Sequence, residues 1–211
     1  MPPQSRKGFL VVFEGIDGTG KSTQAAILAE AMRARGLNVL QSREPTQGAH
    51  GRRIRESAAT GRLPAEEELE LFVQDRREHV ATVLRPALDS GAFVIVDRYY
   101  LSTAAYQGAR GLEPEAILRV NEAFAPTPDV AFLLEIGVSD GRRRIRSRGD
   151  GDGDLFERED ALGRVAAVFA DLDRPYIARV DGNRPVTVVA DEIRRCVEAH
   201  PRFASLNAAG A

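Results

Sequence analysis

Apolar and polar positions along the chain fall into blocks whose period switches between strand and helix. Phe9–Glu14 begins with the unbroken apolar run FLVVF and closes on an acid. A run this short and this apolar predicts a strand buried on both faces, the habit of a parallel sheet. From Lys21 to about Arg35 the apolar residues take helical spacing, with Ile27, Leu28, Ala31 and Met32 on one face and Gly36 as the stop. Leu37–Gln41 predicts a second short strand, and Arg43–Gly51 a loop containing Pro45. Leu63–Ser90 carries one long helical pattern ending near Gly91. Ala92–Val96 (AFVIV) predicts a third buried strand. Asp129–Ile136 (DVAFLLEI), after the turn residues Pro126 and Pro128, predicts a fourth, and Pro185–Ala190 (PVTVVA) a fifth. Strands alternating with helices imply crossover connections and a parallel sheet.

Composition narrows the class. The chain has 211 residues, 43% hydrophobic and 28% charged, which fits one globular domain with a real core. The net charge of −2 gives no global attraction to nucleic acid or an anionic membrane, so any anion site must be built locally. No apolar run approaches the roughly 20 residues of a membrane helix. The polar segment Met1–Gly8 does not read as a signal peptide. The lone cysteine, Cys196, excludes an internal disulfide and fits a cytoplasmic protein; it is expected as inert packing on the apolar side of a C-terminal helix. Among 29 Lys and Arg residues the only lysines are Lys7 and Lys21. His50, His79 and His200 show no metal-ligand spacing and receive no role.

Chemistry enters with Gly15-Ile16-Asp17-Gly18-Thr19-Gly20-Lys21-Ser22, which fits G-x-x-x-x-G-K-[ST] between a buried strand and an amphipathic helix. Successive backbone N–H groups of such a loop, with the helix N-terminus behind them, bind phosphate oxygens. Thr23 continues the loop into the helix. Lys21 supplies charge for the β- and γ-phosphates of ATP, and the Ser22 hydroxyl is a ligand for Mg²⁺. The loop alone is common to GTPases, ATPases and small-molecule kinases. A guanine-reading N/T-K-x-D motif needs a lysine beyond Lys21, and none exists.

Four segments taken in order resemble the thymidylate kinase family: Phe13–Thr23 (FEGIDGTGKST), Arg43-Glu44-Pro45, Leu71–Arg76 (LFVQDR) and Asp97–Gly108 (DRYYLSTAAYQG). The resemblance implies a P-loop NTPase-type three-layer α/β sandwich, with a five-stranded parallel sheet flanked by helices, in a single domain over residues 1–211. It implies transfer of the ATP γ-phosphoryl group to dTMP, with Mg²⁺, in a homodimer. Asp97, at a strand end, can hold Mg²⁺ through water, and Arg98 can grip a phosphate bidentately. By resemblance Arg98 contacts the acceptor phosphate, Phe72 stacks on thymine and Arg76 reads its O4 carbonyl. Ser102, Thr103, Tyr106 and Gln107 line the nucleoside pocket, with Tyr106 against the sugar where it disfavours a 2′-hydroxyl. Asp17 meets the 3′-hydroxyl. Glu44 accepts a hydrogen bond near the acceptor phosphate, and Arg43 contributes charge near the transferring group.

Positive charge on the migrating phosphoryl group is a requirement of this chemistry. Some relatives carry an arginine within the phosphate loop, where this chain has Ile16, Asp17, Gly18 and Thr19. Bacterial-type members carry it in a lid, matching residues 142–158 here, with Arg148 the first choice for the catalytic role and Arg146 the second. The family's D-R-[FI]-E is here Asp154-Leu155-Phe156-Glu157, so a leucine stands where an arginine is expected. Two other readings remain open: a kinase for a different (deoxy)nucleotide or nucleoside, and a phosphate-loop ATP-binding regulatory protein.

Overall fold

The computed structural model describes residues 7–146 and 155–208. In chain order, β1 (Phe9–Glu14) leads into α1 (Lys21–Ala34), β2 (Val39–Arg43), α2 (Ala49–Thr60) and α3 (Ala65–His79). A π-helical turn, Val80–Leu84, joins α3 to α4 (Arg85–Asp89). Then follow β3 (Phe93–Asp97), α5 (Tyr100–Gly108), α6 (Pro114–Glu122) and β4 (Val130–Glu135). The chain continues through α7 (Val138–Arg146), α8 (Leu155–Asp171), β5 (Ile177–Asp181), α9 (Val186–Ala199) and α10 (Pro201–Ala208). No helix among the described residues is long and apolar enough to cross a membrane.

The strands form one parallel sheet in the order β2-β3-β1-β4-β5. Side chains alternate across it. Leu10 and Val12 of β1, with Val94 and Val96 of β3, enter a core against α4, α5 and α8. Phe9, Val11 and Phe13, with Phe93 and Ile95, enter a second core against α1 and α9. Both cores are fully closed, so β1 and β3 are apolar on every residue but the last, and that is why their sequences read as unbroken runs. The expected three-layer α/β sandwich with five parallel strands is what forms.

Three expectations change. The fifth strand is Ile177–Asp181, not Pro185–Ala190. Pro185 instead caps α9, whose Val189, Ile193 and Val197 sit four residues apart and bury against the sheet. That helical period outweighs the β-propensity of the valines. The same geometry turns Cys196 outward, so it is exposed rather than packed. The long helix expected over Leu63–Ser90 begins at Ala65 and runs as α3, the π-helical turn and α4. The turn stands just before Pro86, whose missing N–H interrupts the regular ladder.

Register aligns the carboxyl ends of three strands. Phe13 of β1 and Arg43 of β2 both lie level with Asp97 of β3. In open parallel sheets ligands bind beyond these ends, and here they deliver Glu14, Glu44 and Asp97 to one place.

Candidate active site

The phosphate loop leaves β1 through Gly15 at φ 129° and enters α1 through Gly20 at φ 96°. A side chain at position 15 would stand 2.4 Å from the Leu134 carbonyl oxygen, so only glycine fits. No side chain caps α1 and no acid lies in its first turn, leaving the N-terminal N–H groups and the helix dipole for an anion. Lys21 folds back over the loop, donating to the carbonyls of Ile16 (2.7 Å) and Gly15 (3.1 Å). It is buried, and burial, with the nearby Arg98 charge, lowers its pKa to about 7. Ser22 and Thr23 are exposed at the helix start.

Ser22 donates to Asp97 Oδ2 at 2.5 Å. The second carboxylate oxygen, Oδ1, is buried and has no hydrogen-bond partner among the described residues. An unpaired buried carboxylate oxygen is costly unless a cation or water completes it. A hydroxyl and a carboxylate side by side are a donor set suited to a hard cation such as Mg²⁺, which takes one or two protein oxygens plus phosphates and water. No group of three or more His, Cys, Asp or Glu gathers into a metal cage among the described residues.

Arg98, next to Asp97, is the one non-glycine residue with positive φ (70°) among those described. Such a conformation costs roughly 1–3 kcal/mol, and the surroundings impose it. The Arg98 N–H is held by the Phe13 carbonyl (2.9 Å) and the Tyr99 N–H by Glu14 Oε1 (3.0 Å). The guanidinium then pairs with Asp17, approaches Ser102 Oγ (3.4 Å), and lies 5.2 Å from the Tyr106 ring centre. Asp17 also accepts from the Tyr106 hydroxyl at 3.3 Å. Burial pushes the Asp17 carboxyl up, but Arg98, Lys21 and Tyr106 together hold it below the usual range. Glu14 is wholly buried and accepts from the Ser102 hydroxyl; burial raises its pKa.

Beyond Arg98 lies a cavity of about 240 Å³. Phe72 and Arg76 from α3, Ser102, Thr103 and Tyr106 from α5, and Asp17 and Arg98 all line it. Seven of the residues expected at the acceptor thus converge on one space. Arg76, 1% exposed, donates from Nη2 to Thr103 Oγ1 (2.9 Å), from Nη1 to Asn121 Oδ1 (2.6 Å) and from Nε to Glu44 Oε2 (2.8 Å), and its guanidinium faces Tyr99 at 5.3 Å.

Some expected residues stand elsewhere. Gln107 is fully buried and donates to Glu68 at 2.6 Å, away from the cavity, because its helical position faces α3. Arg43 is exposed and lines a separate cavity of about 520 Å³ together with Ser22 and Asp97. Glu44 does line the acceptor cavity, with both its oxygens engaged within the protein, by Arg76 and His79. The Glu44–Pro45 peptide bond is cis. Arg148 lies outside the described residues, and so does much of the stretch 142–158. Arg146 ends α7, and its side chain is likewise outside what is described. Gly141 of α7 does pack on the loop: a side chain at Gly18 would stand 2.5 Å from the Gly141 carbonyl oxygen.

Sequence reasoning missed Glu14, Tyr99, His79 and Asn121 as parts of the site. The first two lie inside the motif segments and were legible there. His79 follows Arg76 by one helical turn, a signal available from spacing. Asn121, 45 residues from Arg76, had none.

A family profile described as Thymidylate kinase matches residues 13–193. The chain is 50% identical over 192 residues to a thymidylate kinase of Akkermansia muciniphila, covering 91% of this chain and 92% of that protein. It is 49% identical over 188 residues to one from Desulfotalea psychrophila, covering 88% and 92% of the two chains. With one from Xanthomonas euvesicatoria pv. vesicatoria it shares 52% over 176 residues, 83% of this chain and 77% of that one. A phosphate loop facing an arginine- and aromatic-lined cavity, joined to likeness over this much of the chain, makes it a member of the thymidylate kinase family.

Proposed function

We propose that the protein is an ATP:dTMP phosphotransferase, forming dTDP and ADP. The observation that carries this is the position of Arg98, between the phosphate loop at Gly15 and Asp17 and the cavity lined by Phe72 and Arg76. A phosphate in that cavity's mouth lies against the loop that holds the donor. An oxygen of the dTMP phosphate attacks the γ-phosphorus of ATP, and the bond from that phosphorus to the β–γ bridging oxygen breaks as ADP leaves. Positioning and charge do most of the work in such a transfer.

The geometry supports the following roles. Residues 15–23 hold the triphosphate, with Lys21 turning from its own loop carbonyls to the phosphates. Arg98 exchanges Asp17 for the acceptor phosphate, and Asp17 is freed for the 3′-hydroxyl. Phe72 stacks on the base, Arg76 and Thr103 face its edge, and Tyr106 packs on the sugar. Ser22 and the unpaired Asp97 oxygen would hold Mg²⁺, which supplies charge neutralisation between the β- and γ-phosphates. A coupled assay with dTMP, dUMP, dCMP, dGMP and thymidine tests the assignment; fast turnover of another acceptor with none of dTMP would overturn it.

We also read the protein as a cytoplasmic homodimer. Leu69 and Val73 of α3 with Ile117 and Val120 of α6 line a groove of about 390 Å³, and Val120 is 48% exposed. Light scattering on the wild type and on Val120→Glu tests this, a monomeric wild type being the adverse result.

A further inference from the structure

Arg76 is one end of a hydrogen-bonded chain that crosses the molecule from the base cavity to its neighbour. Glu44 Oε2 accepts from Arg76 Nε at 2.8 Å and stands 2.6 Å from Nη2. Glu44 Oε1 is 2.9 Å from His79 Nδ1, and His79 Nε2 is 2.8 Å from Ser42 Oγ. Arg76, Glu44 and His79 are each under 5% exposed. An ionised carboxylate can only accept, so Nδ1 of His79 carries the proton and donates; in the neutral ring Nε2 then accepts from Ser42.

The count of donors is informative. A guanidinium has five N–H groups. Nε–H donates to Glu44, Nη2 to Thr103 and Nη1 to Asn121, and Nη2 also stands 2.6 Å from Glu44 Oε2 as an ion pair. Asn121 is itself fixed, its Nδ2 donating to the Ile117 carbonyl at 2.8 Å, so its oxygen must face Arg76. Even with that ion pair counted, at least one N–H has no partner among the described residues. A spare donor held in a fixed plane donates to a keto oxygen on a base edge and leaves an amino group there facing a like donor.

We propose that His79 is a positioning residue for base specificity, acting through Glu44 on Arg76. It does not line the base cavity; its face is on the larger cavity beside Ser42. Its effect is to hold the second oxygen of Glu44, so that the carboxylate cannot turn and release the guanidinium from the plane that leaves one donor free. This rests on the reading that Arg76 faces the base.

The test measures the ratio of kcat/KM for dTMP to that for dCMP, with the KM for ATP and a thermal melt, on the full-length protein. The amide nitrogen of asparagine takes the place of Nδ1, and that of glutamine the place of Nε2. His79→Leu and His79→Gln are therefore expected to lower the ratio by about tenfold or more, while His79→Asn keeps most of it, with the KM for ATP steady throughout. Equal losses on both acceptors, or a wild-type ratio in folded His79→Leu, would overturn the assignment. If the leucine variant does not fold, the Asn and Gln variants decide: equal ratios overturn it, and a higher ratio for Asn supports it. Arg76→Ala measured alongside separates the two levels. An unchanged ratio there removes the base-reading role itself; a collapsed ratio there with an unaffected His79→Leu removes His79 alone.

Discussion

Ser22, at the start of α1, donates its hydroxyl to Asp97, at the end of β3, across 75 residues of chain. The contact ties the phosphate loop to the strand beside it and leaves the other Asp97 oxygen buried and unpaired. If this pair holds Mg²⁺, Asp97→Asn should raise the Mg²⁺ concentration needed for half-maximal rate by about 10- to 100-fold, the usual effect of losing an outer partner. Calorimetric titration of Mg²⁺ into the ADP-bound variant gives the same comparison without turnover. An unchanged Mg²⁺ requirement in both measurements would remove Asp97 from the cation's surroundings.

Lys21 in the free protein has a pKa of about 7 through burial and the nearby Arg98 charge. Bound phosphates would restore its charge, so nucleotide binding should take up protons. Uptake is expected to approach one proton per site near pH 8 and to fall below roughly one half under pH 7. Calorimetry in buffers of different ionisation enthalpy measures it, and Lys21→Met should abolish it. The sign for stability is separate. Between about 7 and the ordinary value of 10.5 the unfolded chain binds the extra proton, so this group makes the ligand-free protein more stable as pH rises across that window.

Phe72 is half-buried on the wall of the base cavity. Base–aromatic stacking contributes about 1–3 kcal/mol, so Phe72→Ala should raise the KM for dTMP by about 10- to 100-fold with the KM for ATP unchanged. Phe72→Tyr should recover most of the loss. Steady-state kinetics with each substrate varied in turn checks both. A fall in kcat with both KM values intact would mean that Phe72 supports the fold and not the base.

What the sequence made legible follows from where each interaction is made. The runs at Phe9–Phe13 and Ala92–Val96 announce strands because both faces of β1 and β3 are buried. Ile177–Asp181 lies at the sheet edge with Arg179 and Asp181 in water, so its pattern is weak, and the valines after Pro185 outshine it. The phosphate loop is a local structure, set by glycines a few residues apart, and sequence suffices for it. The partners of Arg76 come from the segment after β2 and from α5 and α6, brought together only by packing. Phe72 and Arg76 show from spacing that they share a helix face, but the fixing of Arg76 by Glu44 and Asn121 is tertiary. Gln107 shows the converse: it lies within a motif segment, yet its side chain turns to buried Glu68.

Glu14 offers the sharpest separation of stability from function. Its carboxylate is fully buried, accepting from the Tyr99 N–H and the Ser102 hydroxyl just after the strained Arg98. Burial raises its pKa, so the folded protein holds a proton there that the unfolded chain loses near 4.5. Stability from this group is therefore full below pH 4.5 and declines as pH rises through the raised value. Glu14→Gln keeps an acceptor and removes the charge. Its melting temperature should equal or exceed that of the wild type at neutral pH, by a few degrees for each ~1 kcal/mol recovered, and the gap should narrow toward pH 4.5. Glu14→Ala instead leaves the Tyr99 N–H without its acceptor in the core, at a cost of about 1–3 kcal/mol. It should melt lower, and it should lose dTMP turnover because only the Phe13 carbonyl then holds the backbone at Arg98 in its left-handed conformation. Thermal melts of the three proteins from pH 4.5 to 8 read the order Gln, wild type, Ala. A glutamine variant less stable than the wild type at neutral pH would mean that the ionised carboxylate, facing Arg98, stabilises the fold by more than its burial costs.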